Sequence, residues 1–222
     1  MKKQISIDVP NDWSAITFKQ YSRLQHKLKS YEDEKDAQNM ILISELCNIS
    51  VDTLIHLDKG LLEKITEELT QFLSKTEYPL QKLIKVGGVE YGFEPNLSQM
   101  SYGAYLDIAK IKQLELNDDW LGVMSILYRP IKNKRGALYS IKPYKGYDEW
   151  DKEKWEGVGM DIHFGGFFFF SRLYKALLQG ILNYTKNQTG ISPNIKSILE
   201  KSGENILRLH NLQEMTSSSL IK

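Results

Sequence analysis

Two adjacent glycines, Gly87 and Gly88, constrain the fold of this 222-residue chain more than any other feature. The segments on either side of them, residues 83–86 and 89–93, carry alternating apolar side chains. A two-residue turn between paired strands favours positive φ angles, which glycine adopts freely. The pattern therefore predicts a β-hairpin. Because an isolated hairpin is only marginally stable, this one must pack on other elements.

Most of the remaining sequence predicts helices. Apolar residues recur at spacings of three and four from Phe18 to Leu28 and from Leu61 to Leu73, the second run following a break at Gly60. A long helix is expected from about Met160 to Lys186, with Gly165 and Gly166 inside it. Two interior glycines are unfavourable in a helix, so we expect them either to admit another backbone or to kink the helix.

The predicted fold class is therefore mainly α, with a small β-hairpin, in a multi-helix globular protein. A short strand is expected at 5–9 and another at 138–141, whereas 130–157 is expected to be a loop excursion held by aromatic residues. Short helices are expected at 193–201 and around 206–209. We expect an N-terminal region at 1–95 and a C-terminal region at 96–222, with one continuous domain as the alternative.

The charge balance argues against a dedicated nucleic-acid-binding protein, because 29 basic and 28 acidic residues give a formal net charge of only +1. A local basic cluster, Lys132-Asn133-Lys134-Arg135, interrupts that balance. We expect it to be a solvent-exposed turn. The alternative is a site for an acidic partner or a phosphate backbone.

The sequence contains no recognisable catalytic, cofactor-binding or metal-binding motif, so we expect a protein that is not an enzyme and carries no cofactor. The single cysteine, Cys47, lies in an apolar stretch and is expected to be buried. The four histidines are scattered, and His163, beside the phenylalanine run, is expected to pack in an interface. No segment is long and apolar enough to predict a membrane span.

Two aromatic groups indicate protein–protein interaction, since tyrosine and tryptophan are enriched in interfaces. One lies in the excursion at 139–155. The other is the run from Phe167 to Phe170, whose four side chains point in different directions on a helix, so the helix is either buried on nearly every side or offers a face to a partner. The candidate partner-binding residues are Tyr139, Tyr144, Tyr147, Trp150, Trp155, Phe167 and Phe168.

Residues 1–75 contain, in this order, the run from Thr17 to Tyr21, a helix end from Leu46 to Ser50, and a helix through Phe72. This order of elements resembles the small helical tail assembly chaperones of tailed bacteriophages. Residues 78–185, above all 91–97 and 120–131, are similar to phage proteins of unassigned function encoded in structural-gene regions. Neither resemblance carries a motif with an assigned role, so no functional residue is transferred.

The resemblance implies a chaperone that coats the tape-measure protein and delivers tail-tube subunits to it in the host bacterial cytoplasm. Such a protein needs exposed apolar or aromatic surface, and self-association along the client is expected. One alternative is a virion structural protein, such as a connector, tail or packaged internal protein. A second alternative is an enzyme whose site the sequence does not reveal, which would require a concave pocket with convergent polar groups.

Overall fold

The computed structural model describes residues 7–75, 78–97, 100–110, 115–146 and 148–186. Within these residues the chain forms eight α-helices and one four-stranded antiparallel sheet, so the predicted class is confirmed. The helices are α1 (Phe18–Lys29), α2 (Lys35–Leu46), α3 (Val51–Ile55), α4 (Lys59–Leu73), α5 (Tyr102–Ala109), α6 (Asp118–Leu127), α7 (Glu149–Glu156) and α8 (Met160–Lys186). The strands are β1 (Leu83–Val86), β2 (Val89–Phe93), β3 (Tyr128–Arg135) and β4 (Leu138–Ile141).

Side-chain caps fix where several helices begin. The Thr17 hydroxyl accepts from the backbone N–H of Gln20 at the start of α1, and Ser50 caps α3 in the same way. Asp58 caps α4, so this helix begins at Lys59. Gly60 therefore lies in the first turn of the helix rather than in a break before it.

The predicted hairpin is confirmed. β1 pairs with β2 in antiparallel register, with Val86 opposite Val89 across the turn. Gly87 and Gly88 both have positive φ, at 55° and 81°. Ile84, Tyr91 and Phe93 are buried, so the hairpin packs one face on the core, as its marginal stability in isolation requires.

The expected loop excursion after residue 130 is wrong over most of its length. β3 pairs with β2 through Tyr91 and Pro130, and then with β4. α6 ends at Leu127 and Tyr128 is already extended. The extended conformation that Pro130 favours at Arg129 is also the conformation of a strand. The predicted strand at 138–141 is confirmed as β4. Residues 149–156, which we also expected to be loop, form α7, capped by Asp148.

The N-terminal segment is also different from the prediction. Ile7 and Val9 are half-buried against the core while Asp8 is exposed. The alternating pattern therefore indicated correctly which side chains face the core. Residues 7–10, however, form no strand. Residues 5–6 and the helices expected at 193–201 and 206–209 lie outside the described residues.

The core is centred on α6, which is buried from Trp120 to Leu127. α8 packs beside it. Of the two roles expected for the glycine pair in α8, close approach of another backbone is confirmed at Gly165. A Cβ at Gly165 would lie 2.6 Å from the carbonyl oxygen of Pro79. One hydrophobic cluster contains residues from both sides of residue 95, including Phe72 and Trp155. Over the described residues, no helix combines the length and apolar character that a membrane span requires.

Candidate functional site

Two of the predicted partner-binding residues lie in the core. The Trp155 side chain is fully buried and its ring meets those of Tyr91 and Tyr128. Phe167 is 3% exposed and packs edge-on against Trp120. In this structure neither ring presents surface to a partner, because α7 and α8 turn these faces towards the sheet and α6.

The rest of the phenylalanine run is half-buried. Phe168 stacks on Tyr78 with ring centroids 5.4 Å apart, and Phe169 meets Phe93 edge-on. Phe168, Phe169 and Phe170 all pack against the core cluster. The helix is therefore covered around most of its circumference in this region. This matches the first of the two alternatives for the run, a helix that is buried on nearly every side.

Tyr139 and Tyr144 are half-buried and anchored through their hydroxyls. Tyr139 donates to the carbonyl oxygen of Phe93 at 2.7 Å, and its ring covers Gly92 on the sheet. Tyr144 donates to Asp107 on α5 at 2.7 Å. Tyr147 and the side chain of Trp150 lie outside what the structure describes.

Among the described residues, the largest exposed aromatic surface lies on α5, outside the candidate partner-binding residues predicted from the sequence. Tyr102 is 74% exposed, Tyr105 59% and Leu106 40%. The two tyrosine rings stack with centroids 6.4 Å apart and an interplanar angle of 22°. These three residues, at spacings of three and four, form one stripe on the solvent side of the helix, which we call the α5 patch.

The opposite side of α5 holds the helix in place. Ala104 is fully buried, and Ile108 packs against the core. Ser101 caps the helix by accepting from the backbone N–H of Ala104. A short helix with apolar side chains on both sides cannot bury both against one neighbour. That two-sided pattern is the sequence signal that could have identified the α5 patch.

Polar contacts join α5 to the segment after β4. Asp107 accepts from Tyr144 and from Lys110, whose ammonium lies 2.6 Å from the carboxylate. These two donors, Lys110 first, lower the pKa of Asp107 below its usual value. The Tyr144 ring also lies near Gly103. Tyr144 therefore contacts the helix that carries the α5 patch at two points, Gly103 and Asp107.

His163 is fully buried and makes two hydrogen bonds. Its Nδ1 accepts from the indole N–H of Trp120 at 3.1 Å, and its Nε2 donates to the carbonyl oxygen of Trp155 at 3.0 Å. Burial lowers the pKa of the imidazole to about 4. The neutral side chain links three helices, α6, α7 and α8, so the expectation of a packed histidine is confirmed.

Two open grooves run along the two sides of α1. One, of about 620 Å³, is bounded by the N-terminal segment and the end of α2; the other, of about 410 Å³, lies towards Asp118 and Glu156. Lys19 and Arg23 line both grooves. Arg23 is held by an ion pair with the buried carboxylate of Glu45, which also accepts from Lys27 at 2.6 Å.

Cys47 lines the larger groove but is itself buried, as predicted. Burial raises the pKa of its thiol to about 11, so the thiol stays protonated near neutral pH and is a weak nucleophile. Among the described residues, no group of three or more histidine, cysteine, aspartate or glutamate side chains is arranged to hold a metal ion.

Comparison with known proteins adds no assignment. No family model matches the chain. Neither a search of curated proteins nor a search of solved structures finds a match.

Proposed function

We propose that this chain is an assembly protein that binds a partner protein through the α5 patch. In line with the resemblance of residues 1–75, we propose that it is a tail assembly chaperone of a tailed bacteriophage, acting in the host cytoplasm. The observation that carries the binding proposal is the pair of exposed, stacked rings of Tyr102 and Tyr105.

Tyrosines arranged in this way suit a protein interface. Each ring buries a large area while its hydroxyl keeps a polar contact, and tyrosine is enriched among the residues that dominate binding energy. Because Ala104 and Asp107 fix α5 to the rest of the protein, the rings are held ready for binding. Less conformational freedom is then lost on association.

The partner that fits this surface is a helix with an apolar stripe. The α5 patch offers side chains at spacings of three and four, which is the pattern with which two helices pack side by side. A tape-measure protein is a long helical chain, and exposed apolar stripes make such a chain prone to aggregation. We propose the tape-measure protein as the client, with the tail-tube protein as the second phage partner.

The test is co-expression with the tape-measure protein and measurement of the purified complex. The variant Tyr102→Ser with Tyr105→Ser should reduce affinity at least about tenfold, since truncating dominant interface aromatics typically removes 2 kcal/mol or more. The matched control is Tyr31→Ser with Ile55→Ser, two other exposed large side chains. Equal binding by both double variants would contradict the proposal.

A virion structural protein would use such a surface equally well, since aromatic residues are also enriched in the permanent interfaces of assemblies. The two functions differ in the fate of the protein after assembly. A chaperone leaves the particle, whereas a structural protein stays at a fixed copy number.

A further inference from the structure

The positive charge of this chain is concentrated in one segment. Between Arg129 and Gly146 there are six basic residues and no acidic residue. The whole chain carries a formal charge of +1, so removing these six leaves −5 for the remainder. The near-neutral average therefore conceals a strongly cationic region.

The structure places this segment on a β-ribbon that extends beyond the rest of the sheet. β2 pairs with β3 only over Tyr128–Pro130. From residue 133 to residue 135, β3 pairs with β4 alone. The ribbon turns at Gly136, whose φ is 61°, and its side chains from residue 132 to residue 138 are exposed. We call residues 131–145 the basic arm.

Two cations of the segment are neutralised and four are not. Arg129 pairs with Glu94 in a nearly buried contact, and Lys134 pairs with Glu90 at 2.8 Å. The other four are exposed and have no carboxylate partner among the described residues. They are Lys132, Arg135, Lys142 and Lys145.

We propose that the basic arm binds the phosphate backbone of a nucleic-acid duplex. A two-stranded ribbon fits the major groove of DNA. Basic side chains that are not paired with carboxylates contribute affinity when they displace counterions from the phosphates. A protein partner fits less well, because lysine is depleted from protein interfaces and three of the four cations are lysines.

The duplex form follows from the aromatic side chains. Binding to single strands depends on rings that are open to stack with bases. The only ring on the paired part of the described arm belongs to Tyr139, which covers Gly92 and donates its hydroxyl to Phe93. That ring is engaged by the sheet, so phosphate contact is the interaction that the arm offers.

The experiment measures binding of a labelled, random-sequence DNA duplex to the full-length protein at two salt concentrations. With four phosphate contacts, wild-type affinity should fall about 100-fold between about 50 and about 200 mM salt. The combined variant Lys132→Gln, Arg135→Gln and Lys142→Gln leaves one contact. Its affinity should fall only about threefold over the same range.

A matched variant controls for net charge. It also loses three positive charges, but from exposed positions on α1, α2 and α4, through Lys29→Gln, Lys35→Gln and Lys64→Gln. This variant should keep the wild-type salt dependence. If the arm variant proves less stable, the single variants Lys132→Gln and Lys142→Gln should each lower the slope of log affinity against log salt by about one.

Several outcomes would overturn the proposal. One is that wild-type protein fails to bind the duplex at the lower salt concentration. Another is that the arm and control variants bind alike. Equal or tighter binding of a single-stranded oligonucleotide would overturn the duplex assignment. Competition by polyglutamate as effective as that by the duplex would instead assign the arm to an acidic protein.

Discussion

At the residue scale, the buried imidazole of His163 makes the stability of the folded protein depend on pH. Desolvation disfavours its charged form, and the indole N–H of Trp120 already points at Nδ1, where a second proton would bind. The hydrogen bond to Trp155 acts in the opposite direction but is the smaller effect. The folded protein therefore holds this histidine neutral down to about pH 4.

This environment predicts a loss of stability in acid. The unfolded chain binds a proton at His163 near the usual pKa of 6.5, whereas the folded protein does so only near 4. The contribution of His163 to the free energy of unfolding is thus constant above about pH 6.5 and declines as the pH falls towards 4. Between about pH 7 and about pH 4.5 the loss should be on the order of 2 to 3 kcal/mol.

Urea denaturation at the two pH values measures this loss. His163→Gln should remove most of the difference, while His26→Gln, at an exposed position, should leave it as in the wild type. An unchanged difference in His163→Gln would show that other groups cause the acid sensitivity.

Sequence reasoning predicted the burial of His163 and Cys47 because both lie in apolar surroundings along the chain. It did not separate surface aromatics from core aromatics. Trp155 and Tyr102 are both aromatic residues on short helices, yet one is fully buried and the other 74% exposed. The difference arises from which side of each helix faces the core, and that depends on contacts between distant segments.

At the element scale, α8 depends on a close backbone approach. Gly165 lies against the carbonyl oxygen of Pro79. A Cβ atom added at Gly165 would also lie 3.4 Å from the Cα of Leu80. A backbone oxygen cannot move aside as a flexible side chain can. The glycine pair in the sequence pointed to this contact without identifying the segment that makes it.

Alanine substitutions should therefore have opposite effects at two helical glycines. Gly165→Ala should lower the free energy of unfolding by about 1 to 3 kcal/mol through overpacking. Gly103→Ala on α5 meets only the Tyr144 ring at 3.8 Å and should raise stability by up to about 1 kcal/mol through helix propensity. Chemical denaturation of both variants is the measurement. A Gly165→Ala protein as stable as the Gly103→Ala protein would contradict the close-packing account.

Local signals predicted the hairpin, because two adjacent glycines mark its turn at Gly87 and Gly88. The long helix α8 was also predicted from the sequence. β3 was missed because its first half continues directly from a helix and its second half, residues 132–135, is polar. Its conformation is set by pairing with β2 and β4, which a local pattern does not encode.

At the scale of the whole molecule, one core supports two surfaces of different chemistry. The hydrophobic cluster joins helices from the first half of the chain to the sheet, α6 and α8. The α5 patch presents aromatic rings, and the basic arm presents cations without carboxylates. Composition averages over both surfaces, so the formal net charge of +1 reveals neither of them.

The measurement that tests the proposed function most directly is quantitative mass spectrometry of purified phage particles beside the lysate of infected cells. A protein that assists assembly and then leaves should be abundant in the lysate and absent from the particles. A fixed copy number in the particles would contradict the chaperone assignment and make the protein a structural component of the virion.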